Sequence, residues 1–276
     1  MSVKYDLLKP HIGAKVYIER QHIKDAEVAR ELLRLLDLHT VLVFPKLRLS
    51  NEEQLALTDA LGERINISRR VAGREDSEEV YEVTLNEGAA IEKEYVLGTW
   101  FWHMDGLTVD VAPPKATLLS ARRLATDGGQ TEFASTKAAY EALPDNEKTS
   151  FESMRVVHSV TASLREIMSP EEVDPARRVM QHEHPLVRTD SNGSKSLVIG
   201  STADLIVGKS RAESRAILAR LLEWSVQPAF SYRHEWEDGD CVVWDNTSAL
   251  HRVIPYSENS GRLMNRTTIA GIEAPA

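Results

Sequence analysis

The chain has 276 residues, of which 42% are hydrophobic and 27% charged, with a formal net charge of −9. This length suits one large domain or two small ones, and the apolar fraction is enough for a sizeable core. No basic run of five or more residues occurs, so binding to nucleic acid through a phosphate-neutralising surface is not expected. The composition favours a soluble protein that takes small anions into a pocket.

Apolar pattern and cysteine content predict a cytoplasmic protein with no membrane partner. No segment approaches the roughly 18 continuous apolar residues of a membrane span, and residues 1–6 lack the apolar stretch of a signal peptide. The single cysteine, Cys241, cannot form an internal disulfide, which suits a reducing compartment. Because Cys241 lies in a strand-like apolar run, we expect a buried core thiol.

The first part of the chain has a helix–strand–helix pattern. Residues 25–36 carry apolar side chains at helical spacing, and residues 39–44 are β-branched and apolar, as in a buried strand. Ser50 followed three residues later by Glu53 predicts a capping box, which begins a second helix that Gly62 ends.

Two segments lack clear periodicity. Residues 63–98 are polar and charged, which predicts a long surface loop, or lid, with one strand near residues 79–85. The sequence leaves the order of this lid open. Residues 174–184 are charged and aperiodic, which predicts a surface insertion. We expect the 63–98 loop and the 162–183 segment to line most of the substrate pocket.

Strand signals dominate the rest of the chain. They occur at residues 116–124, 154–161, 185–189, 196–200, 232–236, 240–245 and 263–270. Asn192-Gly193 between two of these strands predicts a hairpin turn. Two helices, at residues 136–143 and 210–226, interrupt the strands. Many short strands with turns favour a mainly β sandwich or jelly roll with helices outside, and no boundary divides the single domain predicted for residues 1–276.

A His-x-Asp pair lies near the middle of the chain, at His103 and Asp105. On an extended strand both side chains point to the same side, where they can reach one ion. His251 follows a strand-and-turn pattern far along the chain, and a closed double sheet can bring it to the same place. Two histidines and one carboxylate leave open positions on a metal and are typical of non-haem Fe(II) oxygenases. We therefore predict these three residues as the iron ligands and the catalytic centre.

Other assignments of the histidines remain open at this stage. Catalytic zinc also takes three protein ligands and keeps an open position, which would suit a hydrolase. The same residues fit a non-enzymatic jelly-roll binding protein whose histidines are structural. Competing histidine groups are His182 with His184, and His158 with His234; the Pro185 that follows His184 favours an extended turn there.

Two arginines near the C-terminus, Arg262 and Arg266, are four residues apart on a core-like strand and therefore share a face. Buried arginines need partners, and the guanidinium fork binds a carboxylate at two points. We predict that Arg262 binds the distal carboxylate of 2-oxoglutarate, with Thr131 offering its hydroxyl to the same group. Arg266 is predicted to bind an anionic substrate; the alternative is an ion pair with a protein carboxylate such as Asp245.

Together these motifs resemble the taurine dioxygenase / 2,4-dichlorophenoxyacetate dioxygenase family of Fe(II)/2-oxoglutarate oxygenases. The resemblance extends over most of the chain. It rests on Trp102–Asp105, Pro113–Thr117, Gly128–Thr131, His184–Thr189, and Trp244–Asn246 through His251 to Arg262 and Arg266. It implies a double-stranded β-helix fold (jelly roll, cupin-like), with iron held by His103, Asp105 and His251. It also implies that Thr131 and Arg262 hold 2-oxoglutarate.

The resemblance further implies a reaction and an assembly. Fe(II), 2-oxoglutarate and O₂ would hydroxylate a small anionic organic substrate: a sulfonate, a sulfate ester, or an aryloxyalkanoate or other carboxylate. The hydroxylation could lead to C–X cleavage. Arg266 matches the position where taurine oxygenases place an arginine near the sulfonate. Taurine itself is not expected, because those enzymes carry a histidine where Gly62-Glu63 is followed here by Arg64. A homodimer or homotetramer is implied.

Overall fold

The structure, a computed structural model, describes residues 3–65, 80–86, 93–109 and 112–271. The strands are β1 (Lys4–Leu7), β2 (Ala14–Tyr17), β3 (Val41–Phe44), β4 (Tyr81–Thr84), β5 (Ala116–Arg123), β6 (Thr131–Ser135), β7 (Arg155–Ser159), β8 (Gln181–Pro185), β9 (Val187–Thr189), β10 (Lys195–Leu197), β11 (Ala203–Ile206), β12 (Ser231–His234), β13 (Cys241–Asp245), β14 (Ala249–Val253) and β15 (Leu263–Ile269). The α-helices are α1 (Ala26–His39), α2 (Asn51–Leu61), α3 (Lys93–Gly98), α4 (Thr136–Glu141), α5 (Asp145–Phe151), α6 (Val160–Leu164), α7 (Pro175–Arg178) and α8 (Arg211–Ser225). Short 3₁₀ turns cover Arg20–His22 and Glu258–Ser260.

The larger sheet has the strand order β1-β2-β3-β13-β5-β15-β4. Its pairs are antiparallel except β2 with β3. Successive side chains of a strand point to opposite faces, so β13 contributes side chains to two apolar clusters, one on each face of the sheet. Val243 packs with the buried faces of α1 and α2, whereas Val242 and Trp244 pack with Phe133 of β6 on the other face.

The opposite layer contains the antiparallel sheet β12-β6-β14, and the sheets β11-β7-β8 and β10-β9 extend the β structure. Phe133 of β6 packs against Trp244 of β13, with ring centroids 5.4 Å apart, so the two layers share one interior. Two mainly antiparallel layers with helices outside form a jelly roll, and the predicted mainly β fold is confirmed. Residues 245–251 run from the last residue of β13 to the middle of β14.

Several local predictions are confirmed at the level of single hydrogen bonds. Ser50 and Glu53 form the capping box that begins α2, which ends at Leu61 just before Gly62. The hairpin between β9 and β10 turns through Asn192-Gly193, and Gly193 has a φ of +80°, a conformation that favours glycine.

The two aperiodic segments contain more regular structure than the sequence predicts. Helix α3 lies within the predicted loop 63–98. Helix α7 and all but the last residue of β8 lie within the predicted surface insertion 174–184. These two predictions are wrong there. β8 was missed because its inward positions are histidines, not aliphatic residues: His182 and His184 face in, whereas Gln181 and Glu183 are exposed. Of the predicted lid loop, residues 66–79 and 87–92 lie outside the described residues.

The strand predicted at residues 154–161 is shorter in the structure. β7 stops at Ser159, whose side chain accepts a hydrogen bond from the Ala162 backbone and caps α6. A serine at a helix start is a normal cap, but the apolar residues that follow it also suit a strand. The sequence pattern alone therefore extended the strand through the first residues of a helix.

Cys241 is fully buried in β13, as predicted. Burial raises the pKa of its thiol to about 12, so the thiol stays protonated and unreactive at neutral pH. In the described part of the chain, no helix combines the length and the apolar character needed to cross a membrane.

Candidate active site

His103 and His251 are held together by their backbones. The two residues exchange a pair of hydrogen bonds, N to O at 3.0 and 2.9 Å, and their ring centroids are 4.1 Å apart. Asp105 completes the group: its Oδ1 is 3.9 Å from His103 Nε2 and its Oδ2 is 3.6 Å from His251 Nε2. One ligand atom from each residue lies within 4.8 Å of the others, and no other group of three such side chains occurs within the described ranges.

The imidazole of His103 is oriented for metal binding. Its Nδ1 lies 2.8 Å from the Phe101 carbonyl, which can only accept, so Nδ1 carries the proton. Nε2 therefore presents its lone pair toward Asp105. A histidine that donates its other ring N–H to a carbonyl is the usual supporting arrangement around protein metals.

Burial keeps His251 neutral. Its ring packs against Trp244 and Phe133, with centroid distances of 4.8 and 6.4 Å. Burial and the neighbouring His103 lower its pKa to about 3, although Asp105 acts in the opposite direction. Metal ligands must be deprotonated, so two neutral imidazoles and one carboxylate are a donor set that fits Fe(II).

Asp105 is buried and fully partnered on one oxygen. Arg266 Nη2 donates to its Oδ2 at 2.6 Å, and Thr117 Oγ1 lies 3.3 Å from the same atom. Asn246 in turn donates to Thr117 Oγ1 at 2.8 Å. Burial alone raises the pKa of Asp105, but Arg266 and the two histidines more than offset it, so the pKa stays below its usual value. The carboxylate is therefore ionised at neutral pH.

Arg266 and Arg262 face the same interior. Leu263 pairs with Arg123 of β5, whereas Met264 pairs with Ala121, so β5 has one extra residue between these two pairs. The irregularity lies in β5, and successive side chains of β15 still point to alternate faces. Arg266 does not pair with Asp245, the partner weighed from sequence, but with Asp105; Asp245 instead binds Lys115, at 2.8 Å. Nε of Arg266 is buried and has no hydrogen-bond partner among the described residues.

Arg262 is a buried cation with neutral surroundings. It is 3% exposed; its Nη2 donates to the Gly129 carbonyl at 3.2 Å, and its guanidinium lies 4.8 Å from the Tyr256 ring centroid. Burial lowers its pKa, although Tyr256 acts in the opposite direction. Within the described ranges it makes no ion pair with a carboxylate. A buried charge without a counterion is unfavourable, so this position suits an anionic ligand.

Thr131 lies at the same end of β6 as the Arg262 contact at Gly129. It is buried and pairs with Val253 of β14, two residues beyond His251. Trp236 Nε1 donates to its Oγ1 at 3.0 Å. Because a hydroxyl both accepts and donates, the Thr131 proton is left for a second acceptor.

A cavity of ≈ 90 Å³ opens beside the cluster. Its lining includes His103, Asp105, Tyr95 and Gly98 of α3, Thr108, Ser163 and Leu164 of α6, Arg177 of α7, Thr202 and Arg266. The expected contributions from residues 63–98 and 162–183 are thus present.

Tyr95, Ser163 and Arg177 were not singled out from sequence because they lie in segments with no motif. Thr117 and Asn246 lie in the motifs Pro113–Thr117 and Trp244–Asn246, but only the fold reveals the hydrogen bonds that connect them to Asp105.

The competing histidines have other roles. His158 contacts Thr202 Oγ1 at 2.8 Å, and His184 Nε2 contacts the Leu107 carbonyl at 2.9 Å. His234 Nε2 lies 3.2 Å from an Asp240 carboxylate oxygen. Burial lowers the pKa of His158 to about 3 and that of His184 to about 4, so both are neutral packing and hydrogen-bonding groups.

Fold and site together define a class of protein. A jelly roll with an inward two-histidine, one-carboxylate cluster and a buried arginine is typical of Fe(II)/2-oxoglutarate-dependent oxygenases. The chain belongs to the family described as Taurine catabolism dioxygenase TauD, TfdA family, whose model matches residues 4–268.

Three comparisons illustrate this membership. The alpha-ketoglutarate-dependent 2,4-dichlorophenoxyacetate dioxygenase of Cupriavidus pinatubonensis is 33% identical, over 97% of this chain and 98% of that protein. An alkylsulfatase of Acinetobacter baylyi is 29% identical, over 84% of this chain and 74% of that protein. The crystal structure of AAD-2 in complex with Mn(II) and N-oxalylglycine superposes with a TM-score of 0.85, at 30% identity, over 100% of both chains.

The protein is therefore an Fe(II)/2-oxoglutarate-dependent dioxygenase, an oxidoreductase. The zinc hydrolase and the non-enzymatic binding protein, which the residues alone left open, find no support in these relatives.

Proposed function

We propose that His103, Asp105 and His251 are the iron ligands of this dioxygenase and that Arg262 and Thr131 hold the distal carboxylate of 2-oxoglutarate. The observation that carries the proposal is the burial of Arg262 without a counterion among the described residues, at the end of β6 next to the strand of His251. A dicarboxylate that reached the metal with one end would supply this counterion with the other.

Each of the chain's own residues has a defined task in this proposal. When bound, Fe(II) supplies the chemistry that couples decarboxylation of 2-oxoglutarate by O₂ to hydroxylation of a C–H bond. The Phe101 carbonyl fixes the tautomer of His103, and Arg266 with Thr117 keeps Asp105 ionised and in place. Trp244 packs on the ring of His251. The protein thus orients the metal and the target carbon and limits other reactions.

We further propose that the substrate is a small organic anion and that Arg266 contributes to its recognition. Arg266 lines the cavity, and its buried Nε has no described hydrogen-bond partner. The names of two relatives specify an aryloxyacetate dioxygenase and an alkylsulfatase, and both substrate classes are anionic. Where the hydroxylated carbon bears an oxygen or sulfur substituent, the product would collapse to a carbonyl compound and release that substituent with the hydroxyl proton.

We propose that residues 1–276 form one catalytic domain that assembles as a homodimer or homotetramer in the cytoplasm. The single, buried Cys241 suits a reducing compartment. Sedimentation velocity on the purified protein measures the assembly state.

Anaerobic calorimetry tests the cofactor assignment. 2-Oxoglutarate titrated into Fe(II)-loaded protein should bind at one site per chain, and Arg262→Ala should abolish most of the heat. Activity is then measured as succinate release with 2,4-dichlorophenoxyacetate, hexyl sulfate and hexanesulfonate, each beside a neutral amide or ester analogue. Equal stimulation by the neutral analogues, unchanged in Arg266→Ala, would refute the anionic substrate class while leaving the cofactor site intact.

A further inference from the structure

Strand β1 is the outermost strand of the larger sheet. It pairs with β2 in the register that sets Lys4 opposite Tyr17 and Leu7 opposite Ala14. Within the described part of the chain, no strand pairs with its other edge. All four residues of β1 are exposed. Because a free strand edge is a template for pairing with another chain, β1 is a surface on which a second chain could add a strand.

One hydrogen bond fixes which backbone groups of β1 face away from β2. The Leu8 N–H donates to the Gly13 carbonyl, on the side of β2, at 2.9 Å. In a trans peptide the carbonyl points opposite to the following N–H, so the Leu7 carbonyl points outward. The N–H and C=O of one strand residue point to the same side, and this side alternates along an antiparallel strand. The outward backbone groups are therefore those of Leu7, Tyr5 and the preceding Val3.

Two of these outward residues have large apolar side chains. Tyr5 and Leu7 are 37% and 56% exposed. The Tyr5 ring lies 5.5 Å from the ring of His39, the last residue of α1, and the neighbouring Leu38 is 56% exposed as well. A chain that paired with β1 would cover apolar surface on this side of the strand, and removing apolar surface from water favours association.

The other face of β1 carries two opposite charges. Lys4 and Asp6 are two residues apart and therefore share a face. Tyr17 of β2 contacts both: its hydroxyl donates to Asp6 Oδ2 at 3.1 Å, and its ring centroid is 5.7 Å from Lys4 Nζ. A lysine alone on a free edge opposes pairing between identical chains. A lysine followed two residues later by an aspartate does not, because each charge can face its opposite in a second copy.

The backbone and the charges together select one register for two antiparallel copies of β1. Pairing of the outward residues allows a two-fold axis at Lys4, Tyr5, Asp6 or Leu7. An axis at Lys4 sets lysine against lysine, one at Asp6 sets aspartate against aspartate, and one at Leu7 sets Asp6 against Leu8. An axis at Tyr5 sets Lys4 of each copy opposite Asp6 of the other. Opposite charges across two strands stabilise a sheet, whereas like charges destabilise it.

We propose that β1 is a two-fold interface between two copies of this chain, which pair antiparallel about Tyr5 and join their larger sheets into one. This inference rests on the homo-oligomer of the proposed function and not on the metal or 2-oxoglutarate assignments. In a homodimer β1 is the interface itself, and in a homotetramer it is one of the two-fold interfaces. Among the described residues that line the active-site cavity, none belongs to β1, so the pairing leaves that cavity accessible.

A proline on the outward edge tests the backbone pairing. Sedimentation velocity over a concentration series measures the Kd of self-association. Tyr5→Pro removes an N–H that faces away from β2, so the fold of each chain should be kept, but the Kd should rise at least about 10-fold because a backbone donor of the interface is lost. Tyr5→Thr also removes the aromatic ring but keeps the N–H, and this matched control should raise the Kd by less. Circular dichroism checks the fold of both variants.

Charge reversal tests the register. Lys4→Asp sets two aspartates opposite each other and Asp6→Lys sets two lysines, so each variant should raise the Kd at least about 10-fold at low salt. The double variant Lys4→Asp/Asp6→Lys restores opposite charges and should return the Kd to within about three-fold of the unmodified value. An equimolar mixture of the two single variants should assemble again for the same reason. Lys24→Asp, at an exposed position before α1, is the control and should not change the Kd.

The outcomes distinguish this interface from the assembly on which it rests. A monomer at every concentration of the unmodified protein would refute both the homo-oligomer and the β1 interface, and would leave the iron and 2-oxoglutarate assignments standing. If the protein assembles and neither Tyr5→Pro nor the single charge variants raise the Kd, only the β1 interface is wrong. A double variant that assembles as weakly as the single variants would overturn the register about Tyr5, and with it the proposed pairing.

Discussion

Arg266 and Asp105 form an ion pair of 2.6 Å whose side chains are only 8% and 5% exposed. The pair joins β15, on the larger sheet, to the segment that carries a proposed iron ligand. An ion pair this deeply buried stabilises little by itself but is costly to break, because the remaining charge is left without a partner. Any ligand that moves Arg266 therefore also affects Asp105, which links substrate recognition to the geometry of the metal site.

Replacing Arg266 with methionine should destabilise the metal-free protein strongly. The variant leaves the Asp105 carboxylate buried without its cation, beside the Thr117 hydroxyl at 3.3 Å and the neutral His251 ring at 3.6 Å. Loss of one member of a buried pair typically costs about 3–5 kcal/mol. Urea unfolding of metal-free protein at pH 7.5 measures this loss. Adding Asp105→Asn to the variant should recover part of it, because the unpaired charge is then removed. If the losses in the free energy of unfolding from the two substitutions are additive, the two side chains are not coupled.

The chemistry of the site could be predicted from the sequence because it depends on residue types in a fixed order. His103, Asp105 and His251 carry their donor atoms wherever the chain places them, and a sheet that closes on itself can bring the third to the other two. The four-residue spacing of Arg262 and Arg266 likewise predicted a shared face, and the structure has both side chains buried in the interior.

What the sequence could not predict depends on long-range contacts and on short elements. The partner of Arg266 was unforeseeable because Asp105 and Asp245 are equally plausible in one dimension; register decides between them, and Asp245 is bound by Lys115. Helix α3 has only six residues, too few for a periodic pattern to emerge. β8 was missed because its inward-facing residues are histidines and not aliphatic residues.

Replacing His251 with alanine should abolish succinate release and leave a folded protein. The change removes one of the three proposed iron ligands. Fe(II) binding should therefore weaken by more than the roughly 10–100-fold that is typical of replacing a residue that hydrogen-bonds to a metal ligand. Near-ultraviolet circular dichroism checks the fold, and His11→Ala, at an exposed position, is the control that should bind Fe(II) normally. Full activity in His251→Ala would contradict the assignment.

Replacing Arg262 with lysine should raise the KM for 2-oxoglutarate while leaving the fold unchanged. The charge is kept, but the fork that can hold a carboxylate at two points is lost, and a charge-assisted hydrogen bond contributes on the order of 1.5–3 kcal/mol. Thr131→Ala should raise the same KM by less. Arg123→Lys, at an exposed position of β5 that pairs with Leu263, is the matched control. An unchanged KM in Arg262→Lys would place the carboxylate clamp elsewhere.

His184 should make the protein less stable in mildly acidic solution. Burial, reinforced by the neighbouring His182, Arg155 and Arg188, lowers its pKa to about 4, although the Leu107 carbonyl acts in the opposite direction. In the unfolded chain its pKa returns to about 6.5. Between these values the unfolded state binds a proton that the folded state does not, so the free energy of unfolding falls as the pH drops below about 6.5 and this loss is absent above it.

His184→Gln isolates this contribution, because glutamine does not titrate and retains a donor for the Leu107 carbonyl. Urea unfolding measures the free energy of unfolding of both proteins at pH 7.5 and at pH 5.5. The decrease in this free energy between the two pH values should be smaller for His184→Gln by about 1 kcal/mol. The pH 7.5 values report the packing cost of the substitution itself. If His184→Gln loses as much stability between the two pH values as the unmodified protein, His184 is not held neutral by the fold.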